Sequence, residues 1–257
     1  MRVLNQGGSP ATNVEATVFW SPVATLVTPD LWTLVGTTIL TNVPIGEQLT
    51  VSDAIVWQQA EIPSAGHYCF VGLVGNAADP ASGLADFLNW DNFRRFIREN
   101  NNVTWRNFNV EDNDPDAEDP TVPKGFKALK FLAPGAPDKA RYMALEFMGK
   151  LPEGAKAMLE VPLDFYELLH EYHQLGKVSI DRKRAVALIP VNPHGRMRFG
   201  EVLFPAKSRA ALRLLVQIPK SHRKERYQIA VRQIWEREEV GRVTWQLQRK
   251  QTPKEKN

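Results

Sequence analysis

The sequence predicts a mainly β protein built from two antiparallel β-sandwiches, each carrying a short helical insertion. Three observations predict it. Short apolar runs alternate with polar residues and are separated by Pro/Gly turn clusters about 8–12 residues apart, the spacing of a sandwich and not of βαβ units. A ten-residue run, Glu111 to Pro120, holds six carboxylates, two prolines and almost no apolar residue, and so reads as a domain boundary. The chain has 257 residues, 43% hydrophobic and 24% charged, enough to form two cores of ordinary globular composition. The expected organisation is a first sandwich over 1–110, an acidic linker over 111–123, a second sandwich over 124–250 and a frayed basic tail over 251–257.

Along the first half, a short apolar start, the turn cluster Asn5 to Pro10 and the alternating run Val14 to Trp20 predict a hairpin. Strands follow at Trp32–Leu40, Gln48–Trp57 and Tyr68–Val74, separated by Pro29-Asp30, Pro44-Ile45-Gly46 and Pro63 to Gly66. Phe87, Leu88, Trp90, Phe93, Phe96 and Ile97 recur at helical spacing, with Asp86 before them and arginines late, which matches a helix dipole at both ends. Asn102–Val110 returns to alternation. In the second half, strands are expected at Ala128–Leu132, Arg141–Met148 and Ala155–Val161. An amphipathic helix over Pro162–Leu175 follows, with Phe165, Leu168, Leu169 and Tyr172 on one stripe and Gly176 as a stop. Val178–Val191, Arg198–Phe204, Ala211–Ile218, Tyr227–Trp235 and Gly241–Leu247 complete the second set of strands.

The net charge of +3 conceals two opposite halves. Residues 1–120 hold five Lys/Arg against fifteen Asp/Glu, a net of −10, and residues 121–257 hold 27 against 14, a net of +13. Six of the first half's acids lie in the linker, so the basic second domain is the real anomaly. The single cysteine, Cys69, excludes an intramolecular disulfide and any multi-cysteine metal site, and reads as a small core residue in an apolar strand. The first eight residues lack the apolar core of a secretory signal, and the longest uncharged stretch, Leu31 to Gly46, is too short and too polar for a membrane span.

Asn5-Gln6-Gly7-Gly8-Ser9-Pro10-Ala11-Thr12-Asn13-Val14, running into Glu15 to Trp20, resembles the CARDB-like group of bacterial immunoglobulin-like modules, in which an "N-x-G" turn leads through "A-x-N-V" into an alternating strand. Gly66 to Phe70 resembles the strand carrying their late core aromatic, and Asn100 to Trp105 their closing strand. The resemblance covers residues 1–110 and implies an immunoglobulin-like sandwich, used as an accessory or adhesive module of a larger bacterial surface or secreted protein. Family members carry a strand ahead of the turn, whereas this chain begins four residues before it, as a truncated chain would. Tyr227–Gln233 and Glu239–Trp245 look like the terminal strand pair of a related, second immunoglobulin-like sandwich. The implied location is extracellular or at the cell surface; without a signal peptide in this chain a cytoplasmic one stays open.

Asp112, Asp114 and Asp116 stand at alternate positions, the spacing by which calcium loops collect oxygen ligands, although Ala117 and Pro123 occupy the positions where an EF-hand needs Gly and Glu. A solvated linker is the alternative, and calcium is the one cofactor the sequence suggests. His170 and His173 are three apart where a His-Glu-x-x-His zinc helix needs four, and no further ligand accompanies them. His67 stands two residues from Cys69 with no nucleophile context around them. The basic clusters Arg182, Lys183, Arg184 and Lys220, Arg223, Lys224, Arg226 form a candidate polyanion-binding patch; attraction to the acidic half is the alternative use of the same charges. Of seven tryptophans, Trp32 and Trp90 are the expected surface aromatics and the others core. The sequence thus points to a non-catalytic interaction, adhesion or accessory module that engages a protein partner or neighbouring domains of a larger chain. The alternative is a binding module for anionic polymers, nucleic acid or cell-wall polyanion, through the basic domain.

Overall fold

A computed structural model describes residues 1–63, 66–110, 119–172, 177–222 and 225–247. The protein is mainly β, with antiparallel sheets and, among the described residues, two α-helices. It divides into two compact units that are not continuous in sequence: Met1–Val23, Val27–Pro115 and Ala136–Asp138 form the first, and Ala24–Leu26, Asp116–Gly135 and Lys139–Asn257 the second.

The first unit is organised by a four-stranded sheet of order β3-β2-β5-β6, formed by β2 (Ala11–Pro22), β3 (Thr33–Val43), β5 (Gly66–Gly75) and β6 (Val103–Val110). Strand alternation gives it two buried faces. On one, Val14, Ala16, Leu40 and Val43 pack with Val3 of a two-stranded ribbon, β1 (Arg2–Val3) with β4 (Thr50–Val51). On the other, Phe19, Cys69, Val71 and Leu73 are buried. The rings Phe19–Trp32 (5.7 Å) and Trp32–Phe96 (5.8 Å) link that face to helix α1 (Trp90–Glu99). Asn89 caps the helix, its side chain accepting from the backbone N–H groups of Asp91 (3.0 Å) and Asn92 (3.2 Å), which satisfies two of the orphan amides at a helix start.

Two local expectations change here. The N-terminal hairpin does not form, because β1 pairs with β4 (Arg2↔Val51) and not with β2. The Asn5 side chain donates to the carbonyls of Ser9 (2.9 Å) and Val43 (3.0 Å), which turns the chain toward the 45–51 segment. The strand expected over Gln48–Trp57 shrinks to Thr50–Val51. Beyond it, Trp57 lies on Trp20 (6.0 Å) and Phe70 (5.4 Å), so ring packing and not strand pairing holds it.

The second unit is a sandwich of two sheets. A five-stranded sheet has the order β10-β11-β9-β13-β7, from β7 (Lys127–Pro134), β9 (Lys156–Pro162), β10 (Ser179–Asp181), β11 (Val186–Val191) and β13 (Arg209–Gln217). A four-stranded sheet has the order β12-β8-β14-β15, from β8 (Arg141–Gly149), β12 (Arg196–Phe204), β14 (Tyr227–Trp235) and β15 (Glu238–Leu247). Leu159 and Leu214 of one sheet and Leu145, Phe147, Phe199 and Val231 of the other line a small apolar cavity where the inner faces meet. Helix α2 (Leu163–Tyr172) follows β9 directly and buries Phe165, which meets Phe204 edge-on at 5.5 Å. The single strand expected over Val178–Val191 is a hairpin instead. The Asp181 carboxylate accepts from the backbone N–H of Lys183 (3.1 Å) and Arg184 (3.2 Å), and Ala185 takes a left-handed φ of 53°, so the chain reverses. Within this unit Ala24–Leu26 contributes a buried polar knot: Thr25 donates its hydroxyl to Gln233 Oε1 (2.6 Å), and Gln233 Nε2 donates to the Pro134 carbonyl (2.9 Å).

Candidate interaction surfaces

The residues that could act on a partner divide by unit. In the first unit, β3 is an outer strand of its sheet, paired only with β2 among the described residues. Its eleven residues, Thr-Leu-Val-Gly-Thr-Thr-Ile-Leu-Thr-Asn-Val, include no charge and no proline. Proteins usually blunt long edges with Lys, Pro or a bulge because the unpaired backbone groups template another strand. The bulge near Val18/Phe19 lies at one end of this edge, leaving Gly36 to Val43 in regular register with Ala11–Val18. The bulge absorbs Val35, so the register sets Leu34 opposite Phe19 and Ile39 opposite Glu15 on one face, and both are exposed, at 56% and 60%. Ile45, Val51 and Val56 are exposed in the segments that follow, so the surface apolar side chains of this unit concentrate between residues 34 and 62.

In the second unit, most arginines are engaged by carboxylates. Glu160 on β9 is buried on the outer face of the five-stranded sheet, directly opposite Arg213 on β13. It accepts from Arg213 Nε (2.6 Å) and Nη2 (2.9 Å) and from Arg184 Nη2, at 2.8 Å to each oxygen. Arg213 also donates to the Thr121 hydroxyl (2.8 Å), which fastens residues 119–121 to the sheet. Hydrogen bonds from the Thr121 hydroxyl and backbone N–H hold the Asp119 carboxyl below its ordinary range, and Lys130 and Arg213 add to the effect. The other sheet repeats the device: Glu146 accepts from Arg232 Nη2 (2.7 Å) and Nε (3.1 Å), and Glu239 from Arg242 (2.6 Å). Fork-shaped guanidinium donors satisfy the buried oxygens of Glu160 and Glu146, the geometry in which a buried carboxylate is tolerated.

The strand register separates the two clusters of the expected basic patch. Arg182, Lys183 and Arg184 lie in the β10–β11 turn, beside the end of β9, where Val186 pairs with Pro162. Lys220 follows β13, whose last residue, Gln217, pairs with Lys156 at the start of β9. Six residues of β9 separate the two levels, about 20 Å at the rise of a strand. Arg182, Lys183, Lys220 and Arg226 are exposed, whereas Arg184 is half-buried on Glu160. Arg223 and Lys224 lie outside the described residues.

Asp112, Asp114 and Asp116, the expected calcium ligands, also lie outside the described residues, as does His173. Among the described residues no three His, Cys, Asp or Glu side chains cluster in a way that could hold a metal ion. Cys69 is a buried thiol at 2% exposure. Of the two expected surface tryptophans, Trp32 is half-buried and Trp90 is buried at 2% exposure, a correction, because its helix lays that side against the sheet. Trp20 and Trp57, expected in the core, are half-buried like Trp32 and lie against each other at 6.0 Å. The β3 edge escaped the sequence reading because alternation marks a strand without saying which neighbours it has; the missing gatekeeper charges were the available signal. No described helix is long and apolar enough to cross a membrane.

No protein-family model matches the chain, and no functionally curated protein matches it. Among solved structures, a collagen adhesin from S. aureus aligns over 92% of this chain and 81% of its own, at 10% identity and a TM-score of 0.21. A likeness this slight carries no inference about architecture, ligand or activity.

Proposed function

We propose that the protein is a non-catalytic interaction or accessory module whose first unit engages an extended segment of a protein partner by strand addition. The observation that carries this reading is the uncharged β3 edge with Leu34 and Ile39 exposed along one face. Strand addition draws affinity from main-chain hydrogen bonds and specificity from alternate side chains, and β3 supplies both. The surface or secreted setting implied by the CARDB-like resemblance of residues 1–110 is part of the same proposal.

Selection of ten-residue peptides from a displayed library on the full chain tests it. Binders should alternate apolar and polar residues, slow hydrogen exchange at β3 amides, and lose at least tenfold in affinity against Ile39→Lys. That substitution lies on an exposed position and should leave stability within about 0.5 kcal/mol. Binders that protect other elements, or that ignore Ile39→Lys, refute the reading.

A further inference from the structure

The fold gathers six exposed cations of the second unit, scattered in sequence, at one end of its sandwich. The strands β7 and β9 begin at this end and β13 finishes there, as the pairs Lys127↔Val216 and Lys156↔Gln217 show. In the other sheet β8 ends and β14 begins at the same level, through Gly149↔Ile229. Loop contacts tie the rim together: Gly149 N–H donates to the Gly195 carbonyl (3.0 Å) and Leu151 N–H to the Pro193 carbonyl (3.1 Å). Beside them, the Cα of Gly154 faces the ring of Pro219.

Lys124, Lys127, Lys150, Lys156, Lys220 and Arg226 all stand on this rim and all are exposed. Among the described residues none of the six forms an ion pair. Among the described residues two carboxylates share the rim, Glu153 and Glu225, and Glu225 already accepts the Tyr227 hydroxyl (2.8 Å) and faces His222 (3.3 Å). The opposite end differs, because Asp164, Glu167, Asp181, Glu236 and Glu238 are interleaved there with its cations.

We infer that the rim carrying Lys124, Lys127, Lys150, Lys156, Lys220 and Arg226 binds a linear polymer of tetrahedral oxyanions, phosphate or sulfate, by charge alone. Five of the six cations are lysines, point charges on flexible stems that track an anionic backbone without the bidentate forks that read one group. Self-repulsion among unpaired cations is relieved by a polyanion, and the counterions it releases supply the driving force. This site is on the second unit and does not rest on the strand-addition reading of the first.

Titration of the full-length protein with long-chain polyphosphate and with heparin, across a series of salt concentrations, tests the inference. With four to six contacts the logarithm of affinity should fall steeply and linearly with the logarithm of salt, with a slope of about −3 to −5. The double variant Lys156→Glu/Lys220→Glu should weaken binding at least tenfold and make the slope shallower by about 2. Arg182→Glu/Lys183→Glu, at the opposite end, changes the net charge by the same amount and should stay within threefold of wild type. Whichever of polyphosphate and heparin binds more tightly identifies the oxyanion. Equal weakening by the two variants would show that net charge and not the rim is responsible, and overturns the inference. A slope near zero overturns it as well, and so does a poly-glutamate peptide bound as tightly as either polymer, which would make the ligand an acidic protein.

Discussion

Replacing Glu160 by glutamine turns one of its two buried oxygens, each accepting two guanidinium bonds, from an acceptor into a donor. In the native protein those bonds run from 2.6 to 2.9 Å, and the Glu160 side chain is 6% exposed. The substituted amide would retain one acceptor oxygen and turn its NH2 toward Arg184 or Arg213, donor against donor. Removing one partner of a buried ion pair costs about 3–5 kcal/mol. Arg213 and Arg184 are 14% and 28% exposed, so water takes over part of their solvation in the variant. The expected loss is therefore about 2–3 kcal/mol, near the low end for charged hydrogen bonds that are not all broken. For a unit of this size that corresponds to a fall in Tm of roughly 6–12 °C. Thermal and urea unfolding of the full chain measures it, and the shift should be confined to the transition of the second unit. A Glu160→Met/Arg213→Met/Arg184→Met triple variant should recover part of the loss, because no member of the cluster is then left charged without its partner. A loss below about 0.5 kcal/mol for Glu160→Gln would place it with ordinary surface pairs and rule out a buried carboxylate that depends on both arginines.

Two further outcomes concern Gly241 and Tyr227. A Cβ at position 241 would overlap the Thr25 carbonyl oxygen and crowd the Leu26 side chain, so Gly241→Ala should lower the stability of the second unit by about 1–3 kcal/mol or more; unfolding indistinguishable from wild type would deny the seating of Ala24–Leu26 in that unit. The Tyr227 hydroxyl, drawn partly out of water and hydrogen-bonded to Glu225, has its pKa pushed up from 10.0 to about 12. Because the folded value lies above the unfolded one, this contribution to stability is complete below about pH 10 and disappears as pH rises through about 12. In an ultraviolet titration one of the five tyrosines should ionise last, and Glu225→Gln should bring its midpoint down; five tyrosines ionising together near the ordinary value would contradict it.

Tertiary context changed specific elements for identifiable reasons. The alternation of Val14 to Trp20 marks a strand, and β2 is there, yet nothing local says that β1 bypasses it to join β4, because that choice depends on the Asn5 side chain reaching Val43, 38 residues away. The Val178–Val191 run reads as one strand by hydrophobicity; an aspartate capping its own turn at 181 breaks it. The expected basic patch joins two clusters close in composition but separated by the length of β9. The lysines 124, 127, 150 and 156 that share the rim with Lys220 sit in separate turns and strand ends and showed no cluster in the linear order.

Local periodicity and composition were enough to determine the mainly β character, a helix within each half, read over 87–97 and 162–175 and found over 90–99 and 163–172, and the reversal of net charge near the acidic run. Those properties depend on residues within a few positions of one another, where side-chain period and turn chemistry act directly. Only the tertiary structure decided which strand is left as an edge, which arginines are neutralised and where the remaining lysines gather. Each of these is a pairing between residues tens of positions apart, such as Arg213 with Glu160, and pairing is set by how two sheets bury their inner faces together, a global condition that no local window contains.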